Sequence, residues 1–218
     1  MTASAPTVSE TRQRLRAQMP VAERWAYFDH AAVAPVTAAA AAAVRAWCDE
    51  AVSDGDTRWP EWSRRAEATR YAAAQLIGAD RDEIALVPNT TAGISLVAEG
   101  LDWREGDNVV TLADEFPSNV YPWLNLASRG VETRRVPTDN GRLDLDALAA
   151  ACDARTRIVS VSWVGYATGY RHDVDRIVEI AHKRGALVML DAIVHWDHSR
   201  RLPISRRIVC KLTSGRIR

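Results

Sequence analysis

Lysine is nearly absent from this 218-residue sequence, in which arginine supplies almost all of the positive charge. The lysines are Lys183 and Lys211, so chemistry that needs a reactive lysine amine has few candidates. Cysteine is also scarce. Cys48, Cys152 and Cys210 are far apart and odd in number, so they give neither a metal-binding spacing nor a disulfide framework and favour a reducing compartment.

Long hydrophobic runs are missing as well. No stretch approaches the roughly 18 apolar residues that a membrane-spanning helix needs, and residues 1–20 lack the apolar core of a signal peptide. These absences predict a cytoplasmic protein that does not use a membrane. The formal net charge is zero, so the chain has no overall field that would attract nucleic acid.

The charge is distributed unevenly. Residues 194–218 carry seven basic residues and one acid, whereas residues 1–193 carry 21 basic and 27 acidic residues. Hydrophobic periodicity also ends near Ile193. We therefore expect an N-terminal arm over 1–35, a folded domain over 36–193 and a basic tail of different origin over 194–218. A frameshift or gene truncation after about Ile193 would explain the change.

Hydrophobic periodicity within 36–193 predicts alternating helices and strands, after an irregular arm over 1–35. The predicted helices span 36–52, 59–76, 89–101, 118–128, 143–152 and 173–184. The predicted strands span 84–87, 108–112, 131–136, 157–162 and 186–190, with a further short strand possible at 208–210. This alternation is typical of βαβ units in a parallel sheet and predicts an α/β fold.

Ligands of such sheets bind beyond the carboxyl ends of the strands, and polar or aromatic segments follow the predicted strands here. Thr90 and Thr91 begin a helix, where free N–H groups and hydroxyls suit a phosphate; Asn89 or Thr90 could equally be a simple N-cap. Asp191 ends a buried strand, where an acid is costly unless it is paired; a cationic ligand would satisfy it, and a helix cap or a salt bridge is the alternative.

Two further segments lie at strand ends. Phe116, in the segment 114–123, could stack on a planar heterocycle, although such a residue alone is more often part of a core. The segment 162–171 contains Gly165 and Gly169, which suit a close approach to a ligand, but it also fits a plain loop.

Together with Tyr27-Phe28-Asp29-His30-Ala31-Ala32, these segments resemble the class V aminotransferase and cysteine desulfurase family, which includes isopenicillin N epimerase-like relatives. The resemblance covers roughly 25–193. It implies a three-layer α/β/α architecture, the large domain of a fold type I transferase dependent on pyridoxal 5'-phosphate (PLP). It further implies an amino acid substrate and a homodimer in full-length relatives.

The resemblance also assigns roles to individual residues. Thr90 and Thr91 would hold the cofactor phosphate, and Phe116 would stack on the ring in place of the family's frequent histidine. Asp191 would pair with the pyridine nitrogen. Asp29 and His30 would lie near the substrate entrance, although they equally fit a turn of the arm.

The sequence departs from the family after Asp191. Val194 stands where the family usually has glutamine, and the later His-Lys pair that provides the Schiff-base lysine is not found. Lys183 precedes Asp191, and Lys211 follows Cys210 rather than a histidine. We therefore predict no catalytic lysine, no covalent attachment of PLP at the family position, and an incomplete sheet in which the strand at 84–87 lacks its partner.

Alternative functions follow from these departures. The chain could be a PLP-dependent domain that is inactive as it stands, with desulfurase, epimerase or transaminase type unresolved. It could instead be a non-catalytic PLP-binding subunit or a dimer partner. Nucleic-acid binding by the basic tail lacks a supporting fold signature, and a metal site at His195 and His198 lacks a framework, so we predict neither.

Overall fold

The computed structural model describes residues 7–193 and residues 207–210, which form two compact units. The first unit comprises residues up to 73, and the second comprises residues 74–193 with 207–210. The predictions for Val194, for His195 and His198, and for Lys211 concern residues outside the described ones, as does most of the predicted tail. The division into arm, domain and tail stays a prediction.

The first unit is helical. Helix α1 (Val8–Ala17) begins at a capping box in which Thr7 and Glu10 satisfy each other's backbone N–H groups. The prediction of an irregular arm over 1–35 is therefore wrong for this segment. Helix α2 (Ala38–Asp54) is capped by Thr37. Gly55 follows the helix with a φ of 61°, and a positive φ ends a right-handed helix. Helix α3 (Trp59–Ile77) begins in this unit and ends in the second.

The second unit is built on a parallel sheet. Its strands are β1 (Asn108–Leu112), β2 (Glu132–Val136), β5 (Thr156–Ser162), β6 (Leu187–Asp191) and β7 (Arg207–Cys210), in the spatial order β2-β1-β5-β6-β7. The short strands β3 (Thr138–Asp139) and β4 (Arg142–Leu143) form a separate hairpin. Every residue of β1 is buried, as expected of a strand covered on both faces.

Helices cover both faces of this sheet. Helices α6 (Leu145–Ala151) and α7 (Val174–Lys183) pack on the face that carries Val110 and Val159. Helices α4 (Thr90–Gly100) and α5 (Tyr121–Leu124) cover the face that carries Val109 and Ile158. The predicted three-layer α/β/α architecture is confirmed. The predicted strand at 208–210 is present, one residue longer, and pairs parallel with β6.

Two secondary-structure predictions are wrong. Residues 84–87 form no strand, and Leu86 is half exposed, because the described part of the chain offers no neighbouring strand to which their backbone could pair. The predicted helix over 118–128 is divided into a 3-10 turn, the four-residue α5 and a second 3-10 turn. Pro117 and Pro122 lack the N–H donors that a continuous helix would need.

Candidate functional site

The sheet face that α4 covers changes from apolar to polar toward the carboxyl ends of the strands. Because side chains alternate along a strand, this face carries, in strand order, Val109 and Thr111, then Ile158, Ser160 and Ser162, then Leu187, Met189 and Asp191. The apolar residues pack against α4 and α5. The polar residues lie at the edge where a ligand of a parallel sheet binds.

Helix α4 presents its N-terminus at this edge. Asn89 is the N-cap and accepts a 2.8 Å hydrogen bond from the Ala92 N–H, so capping falls to Asn89 rather than to Thr90. Thr90 is buried, and the Thr91 hydroxyl donates a 2.9 Å hydrogen bond to Ser118 Oγ. A helix N-terminus flanked by hydroxyl groups is suited to a phosphate.

Phe116 lies in the segment after β1 and is 46% exposed, so it is not a core residue. Its ring meets the ring of Tyr166 edge to face, with centroids 5.2 Å apart and planes at 79°. Tyr166 belongs to the segment after β5. The segments that follow these two neighbouring strands therefore meet through an aromatic pair of favourable geometry.

A buried polar cluster fixes the segment after β1 to the sheet. Trp123 is fully buried, and its indole N–H donates to Ser160 Oγ at 3.1 Å and to Asn119 Oδ1 at 3.4 Å. The Ser160 hydroxyl also donates to Asn119 Oδ1. These bonds join α5 and the turn Pro117–Asn119 to β5, and so they set the position from which Phe116 projects.

Asp191 ends β6 directly opposite Ser162 of β5 and is 4% exposed. One carboxylate oxygen accepts a 3.1 Å hydrogen bond from the Ile193 N–H. Within residues 7–193 it forms no ion pair with Lys, Arg or His, so the salt-bridge alternative finds no support there. Burial raises the pKa of Asp191, and the bond from Ile193 opposes this only in part.

A second buried acid, Glu115, was not singled out in the sequence. It is 8% exposed and accepts hydrogen bonds from the backbone N–H of Ser162 at 2.6 Å and from the Ser162 hydroxyl at 2.5 Å. Burial raises its pKa, and nearby Asp191 raises it further. Asp114, its neighbour, is exposed, and no sequence signal distinguishes which of two adjacent acids lies inside.

The structure thus joins the four predicted regions by contacts. Thr91 is bonded to Ser118, which lies two residues beyond Phe116, and Glu115 is bonded to the residue opposite Asp191. Asp29 and His30 belong to the first unit, where both are exposed and the His30 ring lies 5.2 Å from that of Tyr27.

The chain matches known proteins over most of its length. The family described as Aminotransferase class-V matches residues 26–200. The chain belongs to this family. The match reaches seven residues beyond the predicted limit at 193.

Some of the similar class V proteins are named as cysteine desulfurases. A probable cysteine desulfurase of Methanothermobacter thermautotrophicus is 40% identical over 137 residues, which cover 62% of this chain and 34% of that protein. The solved cysteine desulfurase CsdA of Escherichia coli superimposes with a TM-score of 0.72 at 27% identity, over 82% of this chain and 48% of that one. The expected fold type I architecture is thereby confirmed.

A solved mutant of C-DES, with glycine covalently linked to its PLP cofactor, has a TM-score of 0.75 at 22% identity, over 82% of this chain and 49% of that chain. At this identity the likeness shows the fold alone. The chain spans between a third and a half of the length of these class V relatives.

The residues of this class V chain fit PLP at three points. The N-terminus of α4 with Thr91 offers donors for a phosphate, Phe116 has an exposed ring, and buried Asp191 has no cationic partner within residues 7–193. Within residues 7–193 they do not fit covalent attachment, because Lys183, the lysine of this range, lies at the exposed end of α7, on the opposite face of the sheet from α4. No cluster of metal-ligating side chains occurs among the described residues, and none of their helices is long and apolar enough to cross a bilayer.

Proposed function

We propose that this chain is a PLP-binding domain of the class V aminotransferase type that acts on an amino acid, and that residues 7–193 hold the cofactor without a covalent link. The observation that carries the proposal is Asp191, a buried acid at the ligand-binding edge of the sheet that has no cationic partner within residues 7–193. Bound PLP supplies an electron sink for reactions at the substrate carbon next to the amino group.

The phosphate would lie at the N-terminus of α4. Backbone N–H groups of the first turn point out of the helix there, and Asn89 uses only the Ala92 N–H. Thr90 and Thr91 would add hydroxyl donors. The bond between Thr91 and Ser118 brings a second hydroxyl to the same place, because both side chains can turn toward an anion.

The pyridine ring would lie between the α4 turn and β6. The Asp191 carboxylate would accept the proton of the ring nitrogen, and that ion pair would offset the cost of burying the acid. Phe116 would cover one ring face. Because phenylalanine cannot donate, accept or transfer a proton, it can only stack in this position, whereas a histidine could also take part in proton transfer.

Titration of the purified chain with PLP tests the proposal. We expect a saturable absorbance change in the wild type and a loss of roughly tenfold or more in affinity for Asp191→Ala, because a charged hydrogen bond is removed. Asp114→Asn, which changes the neighbouring exposed acid, is the matched control and should bind as the wild type does. Absence of any saturable change in the wild type would refute the proposal.

Borohydride treatment followed by dialysis separates the two modes of binding. A covalent link to a lysine becomes stable on reduction, so the chromophore would stay with the protein. Noncovalent PLP is removed by dialysis with or without borohydride, and this is the result we expect. Retention of the chromophore only after reduction would identify Lys183 or Lys211 as an attachment site and contradict noncovalent binding.

A second candidate function is that of a non-catalytic partner subunit. It is favoured by the large apolar side chains that the first unit exposes: Phe28 at 90%, Val33 at 71%, Trp25 at 69% and Trp59 at 65%. Where such side chains lie together, they form the apolar patches that commonly mark protein interfaces. Light scattering should then show a dimer that Phe28→Ser weakens, whereas a monomer at all concentrations would exclude self-association.

A further inference from the structure

Glu115 is held by both donors of a single residue far along the chain. The Ser162 N–H donates to one carboxylate oxygen at 2.6 Å and the Ser162 hydroxyl to the other at 2.5 Å. Both residues are buried. Two short bonds to a buried carboxylate fix its orientation, and they also fix the backbone of the residue that donates them.

The backbone of Ser162 in turn restricts the position of Asp191. The two residues face each other in the parallel register of β5 and β6. The N–H of Trp163, the residue after β5, donates to the Asp191 carbonyl at 2.8 Å. The Asp191 carboxylate has one bond within the described residues, the 3.1 Å bond from Ile193. Its orientation is therefore set in part by the adjoining backbone of β5, whose last residue Glu115 holds in place.

The two carboxyl groups also interact through charge. Burial raises the pKa of each, and Asp191 raises that of Glu115 further. Neither forms an ion pair with Lys, Arg or His within residues 7–193. Two buried acids without a cationic partner in this range are costly, so a ligand that brings a cationic group suits this edge of the sheet.

We propose that Glu115 is a positioning residue, which acts on the ring nitrogen of PLP through Ser162 and Asp191. This inference rests on the proposed function and extends it to a residue that does not touch the cofactor. A residue that served only to fold the segment after β1 would affect every ligand of the site alike. A positioning residue for Asp191 affects only ligands that carry the ring nitrogen.

The test compares two ligands, PLP and a PLP analogue with carbon in place of the ring nitrogen. For Glu115→Ala we expect roughly tenfold weaker binding of PLP, because the charged hydrogen bond between Asp191 and the ring nitrogen is lost or misaligned. Binding of the analogue should be unchanged. Glu115→Gln keeps an acceptor for the Ser162 N–H and should restore most of the PLP affinity. Asp114→Asn is the control and should alter neither affinity.

Should Glu115→Ala not fold, Ser162→Ala provides the same comparison, because it removes one of the two donors and keeps the carboxylate. It should weaken PLP binding roughly threefold to tenfold and leave the analogue unchanged. An equal loss for both ligands, or no loss for either, would overturn the inference and leave the proposed function intact. If the wild type bound no PLP at all, both would be overturned.

Discussion

Thr91 Oγ1 donates a 2.9 Å hydrogen bond to Ser118 Oγ, 27 residues further along the chain. The bond ties the first turn of α4 to the turn after β1, and both hydroxyls lie at the carboxyl edge of the sheet. The site is therefore assembled from segments that are distant in sequence and adjacent in the fold, as is usual for ligands of parallel sheets.

Removal of the Thr91 hydroxyl should weaken binding of the phosphate. For Thr91→Val we expect a loss of roughly threefold to tenfold in affinity for PLP, since one donor is lost. Affinity for pyridoxal, which has no phosphate, should be unchanged. Absorbance titration with both ligands measures the difference.

Thr69→Val is the matched control, because the Thr69 hydroxyl donates to the Arg65 carbonyl within α3 of the first unit. It should leave the affinity for both ligands unchanged. An equal loss for PLP and pyridoxal in Thr91→Val would contradict a phosphate role for Thr91.

Loss of the Phe116 ring should weaken binding of the pyridine. For Phe116→Ala we expect a loss of roughly twofold to tenfold in PLP affinity, the usual worth of an aromatic contact. Phe116→Trp should keep most of it. Isothermal calorimetry on the folded variants provides the measurement.

Tyr166→Phe serves as the control for this series, because it keeps the edge-to-face pair with Phe116 and removes only a hydroxyl. It should bind PLP as the wild type does. If Phe116→Ala bound PLP with unaltered affinity, stacking by Phe116 would be excluded.

The polar cluster beneath the site should contribute to stability. Trp123→Phe keeps most of the buried ring and removes the indole N–H that serves Ser160 and Asn119. We expect the free energy of unfolding to fall by about 1–3 kcal/mol, because buried acceptors lose a partner. Urea denaturation measures the change. Trp59→Phe, at a 65% exposed position, should stay within about 0.5 kcal/mol of the wild type.

The sequence predicts the sheet well, because its buried strands are short apolar runs bounded by turns. The predicted strand at 108–112 coincides with β1, and the bounds of β2, β5 and β6 differ by a single residue at one or both ends. The strand predicted at 84–87 is wrong, since an apolar run forms a strand only beside a partner, and pairing is a property of the whole fold.

The candidate site is predicted only in part. Phe116 and Asp191 follow from the strands that precede them, and Thr91 follows from the start of its helix. Glu115 does not, because its burial depends on hydrogen bonds to Ser162, 47 residues away. Helix α1 replaces part of the expected arm, and the capping box of Thr7 and Glu10 is the sequence signal that favours it.

The buried acid at the end of β6 should make stability depend on pH. Burial raises the pKa of Asp191 above its ordinary value of 3.8. Its contribution to stability is therefore fully present below that value, and it declines as the pH rises through the higher pKa of the folded state, because the unfolded chain releases the proton more readily. Asp191→Asn cannot ionise, so it should melt at a higher temperature than the wild type near pH 7 and show a smaller advantage near pH 4.

Thermal melts at these two pH values, with and without PLP, measure the effect. A difference of about 1 kcal/mol corresponds to roughly 2–4 °C for a chain of this size. PLP should raise the melting temperature of the wild type, because it binds the folded state and supplies a cation to Asp191, whereas Asp191→Asn should gain less. A melting difference between the two proteins that is the same at both pH values would show that Asp191 does not titrate in a buried site, and an equal gain from PLP would show that its carboxylate does not meet the ring nitrogen.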